Sequence, residues 1–308
     1  MSNVFVQQPA IQKLLRDSAG LDVAGGDERF KAIIHRLLEN ICTLIDDYNV
    51  TEEEFWHAVN YLHELGGRQE AALLAAGLGL EHFLDLRQDA IDAAAHRETG
   101  TPRTIEGPLY VANAPLAEGH ARMDDGADAG EVMWLHGEVK DTEGRPVANA
   151  IVDIWHANTL GNYSFFDPGQ SEYNLRRRIR TGADGRYSVR SIMPSGYGCP
   201  PDGPTQKLLD QLGRHGNRPA HVHFFVSAPG YKHLTTQINL NGDAYLWDDF
   251  AFATREELIA DPVKITDEAL SQERHINQPH TEVSFNFALV ASAETSEESR
   301  IKRARVME

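Results

Sequence analysis

A chain of 308 residues, 41% hydrophobic and 24% charged, is long enough for one large domain or two ordinary ones. Its 46 acidic against 29 basic residues give a formal charge of −17, which argues against a nucleic-acid partner or an anionic-membrane surface. Cys42 and Cys199 imply no disulfide framework, no apolar run approaches membrane-spanning length, and no secretory signal is evident, so a cytoplasmic protein without membrane insertion is expected.

The first hundred residues read as helix. Asp27 is placed to cap a helix whose apolar positions are Phe30, Ile33, Ile34, Leu37, Leu38, Ile41, Leu44 and Ile45, the stripe of an amphipathic helix. Thr51 and Glu54 form a capping-box pattern opening a second helix that stops at Gly66 and Gly67. An Ala- and Leu-rich stretch over residues 68–96 follows, bent near Gly77 and Gly79. Thr, Gly and Pro cluster over residues 97–110 and end the helical period, which sets a domain boundary between residues 103 and 104.

From there the chain reads as short alternating strands. Turns are expected at Glu143-Gly144, at Asp184-Gly185 as a hairpin, and at Pro229-Gly230, with another strand in "TEVSFNFALVA" over residues 281–291. Repeated strands without intervening helices predict a mainly β chain. The expected architecture is an antiparallel β-sandwich over 104–308 behind a helical segment over 1–103. "IKRARVM" near the end is a candidate edge strand.

Within the strands, "RPAHVHFFV" (residues 218–226) is chemically unusual. Strand alternation puts His221 and His223 on one face and Val222 and Phe224 on the other. Two imidazoles on one face of an apolar strand are costly to bury unless their nitrogens are satisfied, and a metal ion does that as well as hydrogen bonds do. Tyr163 and Tyr197 lie in loops leaving the ends of two predicted strands, shortly after Gly161 and Gly196. A hard, highly charged cation favours phenolate oxygen over thiolate sulfur. His136 and His156 on or beside strands are competing groups, and Asp153, near His156, would make with the His221–His223 pair the two-histidine, one-carboxylate triad of Fe2+ oxygenases. His215 reads as a loop-borne surface group. The residues alone leave both sites open.

Longer motifs carry more information: "GPLYVANAP", "DIWHANTLGNYSFFDP", "NLRRRIRTGADGRYSVRSIMPSGYGCPPDGPTQ" and "GRHGNRPAHVHFFVSAPGYKHLTTQINLNGDAYLWDDFAFATR". Over about residues 104–290 the chain resembles the intradiol ring-cleaving dioxygenases, and within them the members that act on catechol itself. The resemblance implies one mononuclear non-haem Fe(III) per chain, held by Tyr163, Tyr197, His221 and His223 with a solvent-derived hydroxide. It demotes zinc and the carboxylate triad. It implies cleavage of catechol by O2 between the hydroxylated carbons to cis,cis-muconate, in aromatic-compound catabolism by the β-ketoadipate route.

Carried over residue by residue, the resemblance gives Arg218 the role of stabilising negative charge on the ring. Gln237 would hydrogen-bond near the substrate, and Tyr197 would take up a substrate proton. Leu73, Ile105, Pro108, Leu109, Phe250 and Ala251 would line an apolar ring pocket, with Ala76 standing where the family often has proline. Cys199 reads as a small buried side chain. A homodimer through the N-terminal helices is also implied, with a phospholipid held between them. Hydroxyquinol and chlorocatechols are the rival substrates. The rival class is a non-catalytic binding sandwich, which has no reason to keep the two tyrosines, two histidines and Arg218 together.

Overall fold

The computed structural model describes residues 5–292; the candidate strand "IKRARVM" lies outside them. The chain divides into two compact units, Met1–Arg68 and Gln69–Glu308. The division falls upstream of the expected 103/104 boundary, which marks the change from helix to strand instead.

In the first unit, α1 (Pro9–Ser18), α2 (Glu28–Tyr48) and α3 (Glu52–Gly67) follow one another. Asp27 caps α2 by accepting from the Phe30 amide at 2.8 Å, and Asn49 closes it in the left-handed conformation. The capping box of α3 is complete: the Glu54 amide donates to Thr51 Oγ1 and the Thr51 amide to Glu54 Oε2. The second unit opens with α4 (Ala71–Gly77) and α5 (Leu80–Ala94), and α4 packs on α6 (Pro204–Gln211). Gly79, at φ 72°, turns the single bent helix expected here into two.

The strands, in chain order, are β1 (Leu116–Glu118), β2 (His120–Arg122), β3 (Val132–Asp141), β4 (Ile151–His156), β5 (Arg176–Arg180), β6 (Arg186–Ile192) and β7 (Tyr197–Gly198). After α6 come β8 (Asn217–Arg218), β9 (His221–Ser227), β10 (Leu234–Leu240), β11 (Ile259–Ala260), β12 (Val263–Ile265), the helix α7 (Glu268–Glu273), β13 (His280–Ser284) and β14 (Phe287–Leu289). One six-stranded sheet runs β1-β5-β4-β9-β10-β11. A second runs β12-β13-β3-β6-β2, with β14 also pairing to β3, and β7-β8 form a small ribbon. Leu135, Val139 and Val189 of the second sheet join Val152, Ile154, Val222, Phe224 and Ile238 of the first in one hydrophobic core.

Three expectations need correction. The sheets are mixed rather than antiparallel: β1 with β5, β2 with β6, β10 with β11, and β13 and β14 with β3 are all parallel pairs. The antiparallel pairs include the central ones, β9 with β4 and β10 and β3 with β6, together with β4–β5, β12–β13 and the β7–β8 ribbon. Asp184-Gly185 is a turn but not a hairpin, because β5 and β6 belong to different sheets. Gly185, at φ 73°, sits against β3, where an added Cβ would meet the Val139 carbonyl at 2.5 Å; the turn carries the chain from one sheet to the other. Helices α6 and α7 do interrupt the strand region, started by Pro204 and by Asp267, whose carboxylate accepts from the Ala269 and Leu270 amides. Pro229-Gly230 does join the antiparallel pair β9 and β10, as expected. Among the described residues no helix is long and apolar enough to cross a membrane.

Candidate metal centre

β9 is buried on both faces, and its pleat sorts its residues as the sequence predicts. Val222, Phe224 and Val226 enter the core between the sheets, leaving His221, His223 and Phe225 on the opposite face. His223 pairs with Trp155 on β4 and with Gln237 on β10, and its ring stacks on the indole at 5.0 Å and 4°. Directly opposed residues of antiparallel strands share a face, so Trp155, His223 and Gln237 form a row across three strands.

The tyrosines arrive from two loops. Beyond β4, the Asn158 side chain accepts from the Leu160 and Asn162 amides and shapes the turn that delivers Tyr163. Gly161 turns there at φ 81°, where a Cβ would stand 2.5 Å from that of Tyr197, so only glycine admits this approach of the two loops. Tyr197 is fixed by the ribbon, where it pairs with Arg218. Three residues past Arg218 the chain enters β9 at His221. The ribbon therefore couples a tyrosine, an arginine and both histidines.

Four polar atoms meet. Tyr163 Oη and Tyr197 Oη are 3.3 Å apart, each lies 3.4 Å from His221 Nε2, and His221 Nε2 is 3.0 Å from His223 Nε2. Metal–ligand bonds of about 2.1 Å at angles between tetrahedral and right place neighbouring donors roughly 3.0–3.4 Å apart, so this spacing fits one ion. The tautomer fits too: His221 Nδ1 donates to the Pro219 carbonyl at 2.6 Å, leaving Nε2 with its lone pair toward the cluster. Burial, then the charge of Arg218, pushes His221 down to about 3. Burial, then His221, pushes His223 well below its ordinary value. Both imidazoles are thus neutral, as metal ligands must be. His223 Nδ1 is buried without a hydrogen-bond partner.

Arg218 is buried beside them. It donates from NH1 to His221 Nε2 at 2.9 Å, from NH2 to Gln237 Oε1 at 2.8 Å, and from Nε and NH2 to the Asp249 carboxylate at 3.1 Å each. Burial pushes the guanidinium down, but Asp249 outweighs it and holds Arg218 above its ordinary value. Gln237 is engaged at both ends of its amide, since Nε2 donates to Asn239 Oδ1 at 2.9 Å. Its oxygen thus faces Arg218 and its nitrogen Asn239.

The other candidates fall away. Asp153 accepts from Tyr110 Oη at 2.8 Å, and among the described residues no three His, Cys, Asp or Glu side chains gather as a metal site. His156 meets Ser191 Oγ and the Ala157 carbonyl, at 2.7 Å each. His136 pairs with Glu282 on the second sheet, and His215 with Asp248. Of the expected pocket residues, Leu73, Ile105, Phe250 and Ala251 form one apolar cluster with Ala76 and Cys199. Leu109 packs instead in the cluster holding Tyr163, Trp155 and Tyr197, and Pro108 is half-buried next to it in sequence. Burial pushes the Cys199 thiol up to about 12, which makes it an inert neighbour.

Sequence reasoning missed Asp249 and Trp155. "LWDDFAFA" does place an acid directly before Phe250 and Ala251, but which of Asp248 and Asp249 turns inward is decided only by the fold.

Comparison with known proteins now decides the family. The family model described as Dioxygenase matches residues 105–291, and Catechol dioxygenase N terminus matches residues 27–96. The chain belongs to the intradiol dioxygenases. It is 53% identical to a catechol 1,2-dioxygenase of Pseudomonas sp. (strain EST1001) over 95% of this chain and 97% of the relative. The crystal structure of catechol 1,2-dioxygenase from Pseudomonas arvilla C-1 superposes with a TM-score of 0.95 at 59% identity, covering 99% of both chains. A hydroxyquinol 1,2-dioxygenase of Rhizobium sp. (strain MTP-10005) is 37% identical, over 87% of this chain and 90% of the relative. The family depends on non-haem iron, and the donor set described above suits that metal.

His156 supplies a pH prediction separable from the metal. Its burial pushes the imidazole from 6.5 to about 4. Between those values the unfolded chain takes a proton that the folded chain refuses, so stability falls as pH drops through this window. The group's share is about 3 kcal/mol. Urea unfolding of His156→Asn should lose about 3 kcal/mol less than wild type between pH 6.5 and pH 4; equal losses would refute this share.

Proposed function

We propose that this chain is a catechol 1,2-dioxygenase, opening catechol between its two hydroxylated carbons with O2 to give cis,cis-muconate in aromatic-compound catabolism. The observation that carries the reading is the meeting of two phenols and two neutral imidazoles beside a buried, carboxylate-held guanidinium. Tyr163, Tyr197, His221 and His223 hold one Fe(III) per chain. When bound, the ion supplies Lewis-acid activation of the catechol and a template that orients it.

The residues around it have separable tasks. Burial, then the neighbouring Tyr197, pushes the Tyr163 phenol well above its ordinary value. Two phenols 3.3 Å apart lose both protons only to a strongly charged cation, which favours a ferric ion over zinc. Tyr163 is buried and Tyr197 only half-buried, so Tyr197 Oη is the better placed to accept a catechol proton and move aside. With His221 Nε2 serving as a metal ligand, Arg218 NH1 would have no acceptor there and would be the free donor for negative charge on the ring. Asp249 and Gln237 hold it in place.

Leu73, Ile105, Pro108, Leu109, Phe250 and Ala251 exclude water from the ring. The Phe250 wall is stiff: a Cβ on Gly77 would stand 3.0 Å from its ring, and Arg214 bridges the Gly77 and Phe250 carbonyls at 2.7 and 2.9 Å. The greater likeness to the catechol-named relatives than to the hydroxyquinol-named one favours catechol as substrate. The common core of the two sheets supports a two-layer sandwich.

The deciding experiment is the visible spectrum of iron-loaded protein, before and after catechol is added without oxygen. A broad phenolate-to-iron band that moves on adding catechol is expected, with muconate forming once air is admitted. Full iron occupancy without colour would overturn the ligand set. Steady-state kinetics should show kcat about 100-fold lower for Arg218→Gln, and roughly tenfold lower for Asp249→Asn, with KM changed less in both. An Asp249→Asn enzyme of wild-type kcat would remove that residue from the machinery.

A homodimer belongs to the same reading. α2 leaves Phe30, Leu37 and Leu44 exposed at 63%, 49% and 54% along one stripe, an apolar face that a second copy and the acyl chains of a phospholipid would cover. Native mass spectrometry should show a dimer carrying lipid mass. Monomer alone removes the dimer, and a dimer at its bare sequence mass removes the lipid.

A further inference from the structure

β5 opens at Arg176, whose side chain is 1% exposed. It pairs with Trp155 and so extends the row to Arg176, Trp155, His223 and Gln237 across β5, β4, β9 and β10. The arginine therefore shares the sheet face that carries His223. Its Nε donates to Ser164 Oγ at 2.9 Å and its NH2 to the Ser164 carbonyl at 3.0 Å, while NH1 is buried with no hydrogen-bond partner. The guanidinium carbon stands 5.7 Å from the centroid of the Tyr163 ring, within cation–π range.

Burying a guanidinium is costly unless an anion compensates it. The hydrogen bonds of Arg176 go to a serine rather than to a carboxylate. A guanidinium stays charged at neutral pH even when buried. A buried cation against the ring of a buried phenol, tied to the next residue of the backbone, has an evident use once that phenol ionises.

We propose that Arg176 is the counter-charge and positioning residue of Tyr163. Its positive charge compensates the phenolate across the ring, and its two bonds to Ser164 fix the backbone on which the tyrosine stands. The inference rests on the reading of Tyr163 as a ferric ligand. A cation beside a phenolate lowers the energy of its donor electrons. The phenolate-to-iron band of the native protein is therefore held at shorter wavelength, and Fe(III) is stabilised less than an uncompensated phenolate would stabilise it.

The test compares iron-loaded wild type, Arg176→Gln and Arg176→Lys by visible spectrum and by the midpoint potential of the iron. Arg176→Gln should move the band to longer wavelength and lower the potential. Arg176→Lys keeps the charge while losing the forked contact to Ser164, and should shift both by less than half as much. A Gln variant with full iron and an unmoved band overturns the proposal. So do equal shifts in both variants, which would mark a purely structural role through Ser164. If the Gln variant does not fold or load iron, the Lys variant decides: wild-type iron content with the band in place supports the charge, and loss of iron or a displaced band overturns it. A wild-type protein that binds iron without colour would sink the ferric-tyrosinate reading instead, so the two failures are distinguishable.

Discussion

His221 Nε2 has one lone pair and four polar neighbours: Arg218 NH1 at 2.9 Å, His223 Nε2 at 3.0 Å, and the hydroxyls of Tyr163 and Tyr197 at 3.4 Å each. One acceptor cannot satisfy them all, and the two facing imidazoles are both neutral. Protein interiors rarely hold such an arrangement, because each unsatisfied polar group costs on the order of 1–3 kcal/mol. A cation held by the two hydroxyls and the two imidazole Nε2 atoms would take up this lone pair and leave Arg218 NH1 free to serve an anion. The neighbouring structure is consistent with that requirement: the Pro219 carbonyl sets the tautomer, and the Trp155 indole sets the plane of the second ring.

The fold meets this constraint by letting one strand face two ways. His221 and His223 face the donor cluster together with the apolar Phe225, while Val222, Phe224 and Val226 lie in the core shared by the two sheets. A one-residue slip of β9 would exchange the two sets, so burial of the valines and phenylalanine also fixes where the histidines point. The central antiparallel pairing with β4 and β10 then brings Trp155 and Gln237 alongside His223. The tyrosines ride on loops, yet one is locked by Gly161 and the other by the β7-β8 ribbon. Precision at the site comes from the strands, and the loops inherit it.

What was legible in the sequence follows from this. The His221 and His223 alternation, the caps at Asp27 and Thr51 and the Pro229-Gly230 turn are local signals, and each has its expected local consequence. Sheet membership is not local. Asp184-Gly185 makes the turn its residues demand, but nothing near it states that β5 and β6 leave for different sheets. Parallel pairing of β1, β2, β11, β13 and β14 is likewise set by partners distant in sequence. Asp248 and Asp249 are adjacent and chemically identical, and only the direction of the chain at Phe250 sends Asp249 inward to Arg218 while Asp248 meets His215. The four proposed metal ligands were found because a family resemblance named them. The residues alone did not choose between tyrosines and a carboxylate; in the structure Asp153 accepts a hydrogen bond from Tyr110, while the tyrosine hydroxyls meet His221.

The two buried arginines near the donor cluster are compensated differently. Against a formal −17 overall, Arg218 has Asp249 bonded to it, whereas the hydrogen bonds of Arg176 go to Ser164 and the Asp153 carboxylate acts on it through its charge. Arg176 is therefore the one left free to answer a negative charge on the neighbouring tyrosine. In the proposed reaction two tyrosine phenols and two catechol oxygens would gather at one cation, and a tyrosine that takes a proton would limit the negative charge to be buried there. Tyr163 is the more buried of the two and has Arg176 against its ring, whereas Tyr197 stands half-buried. The asymmetry between otherwise equivalent tyrosines is what makes Tyr197 the proposed proton acceptor, and it is set by where the fold has put the second arginine.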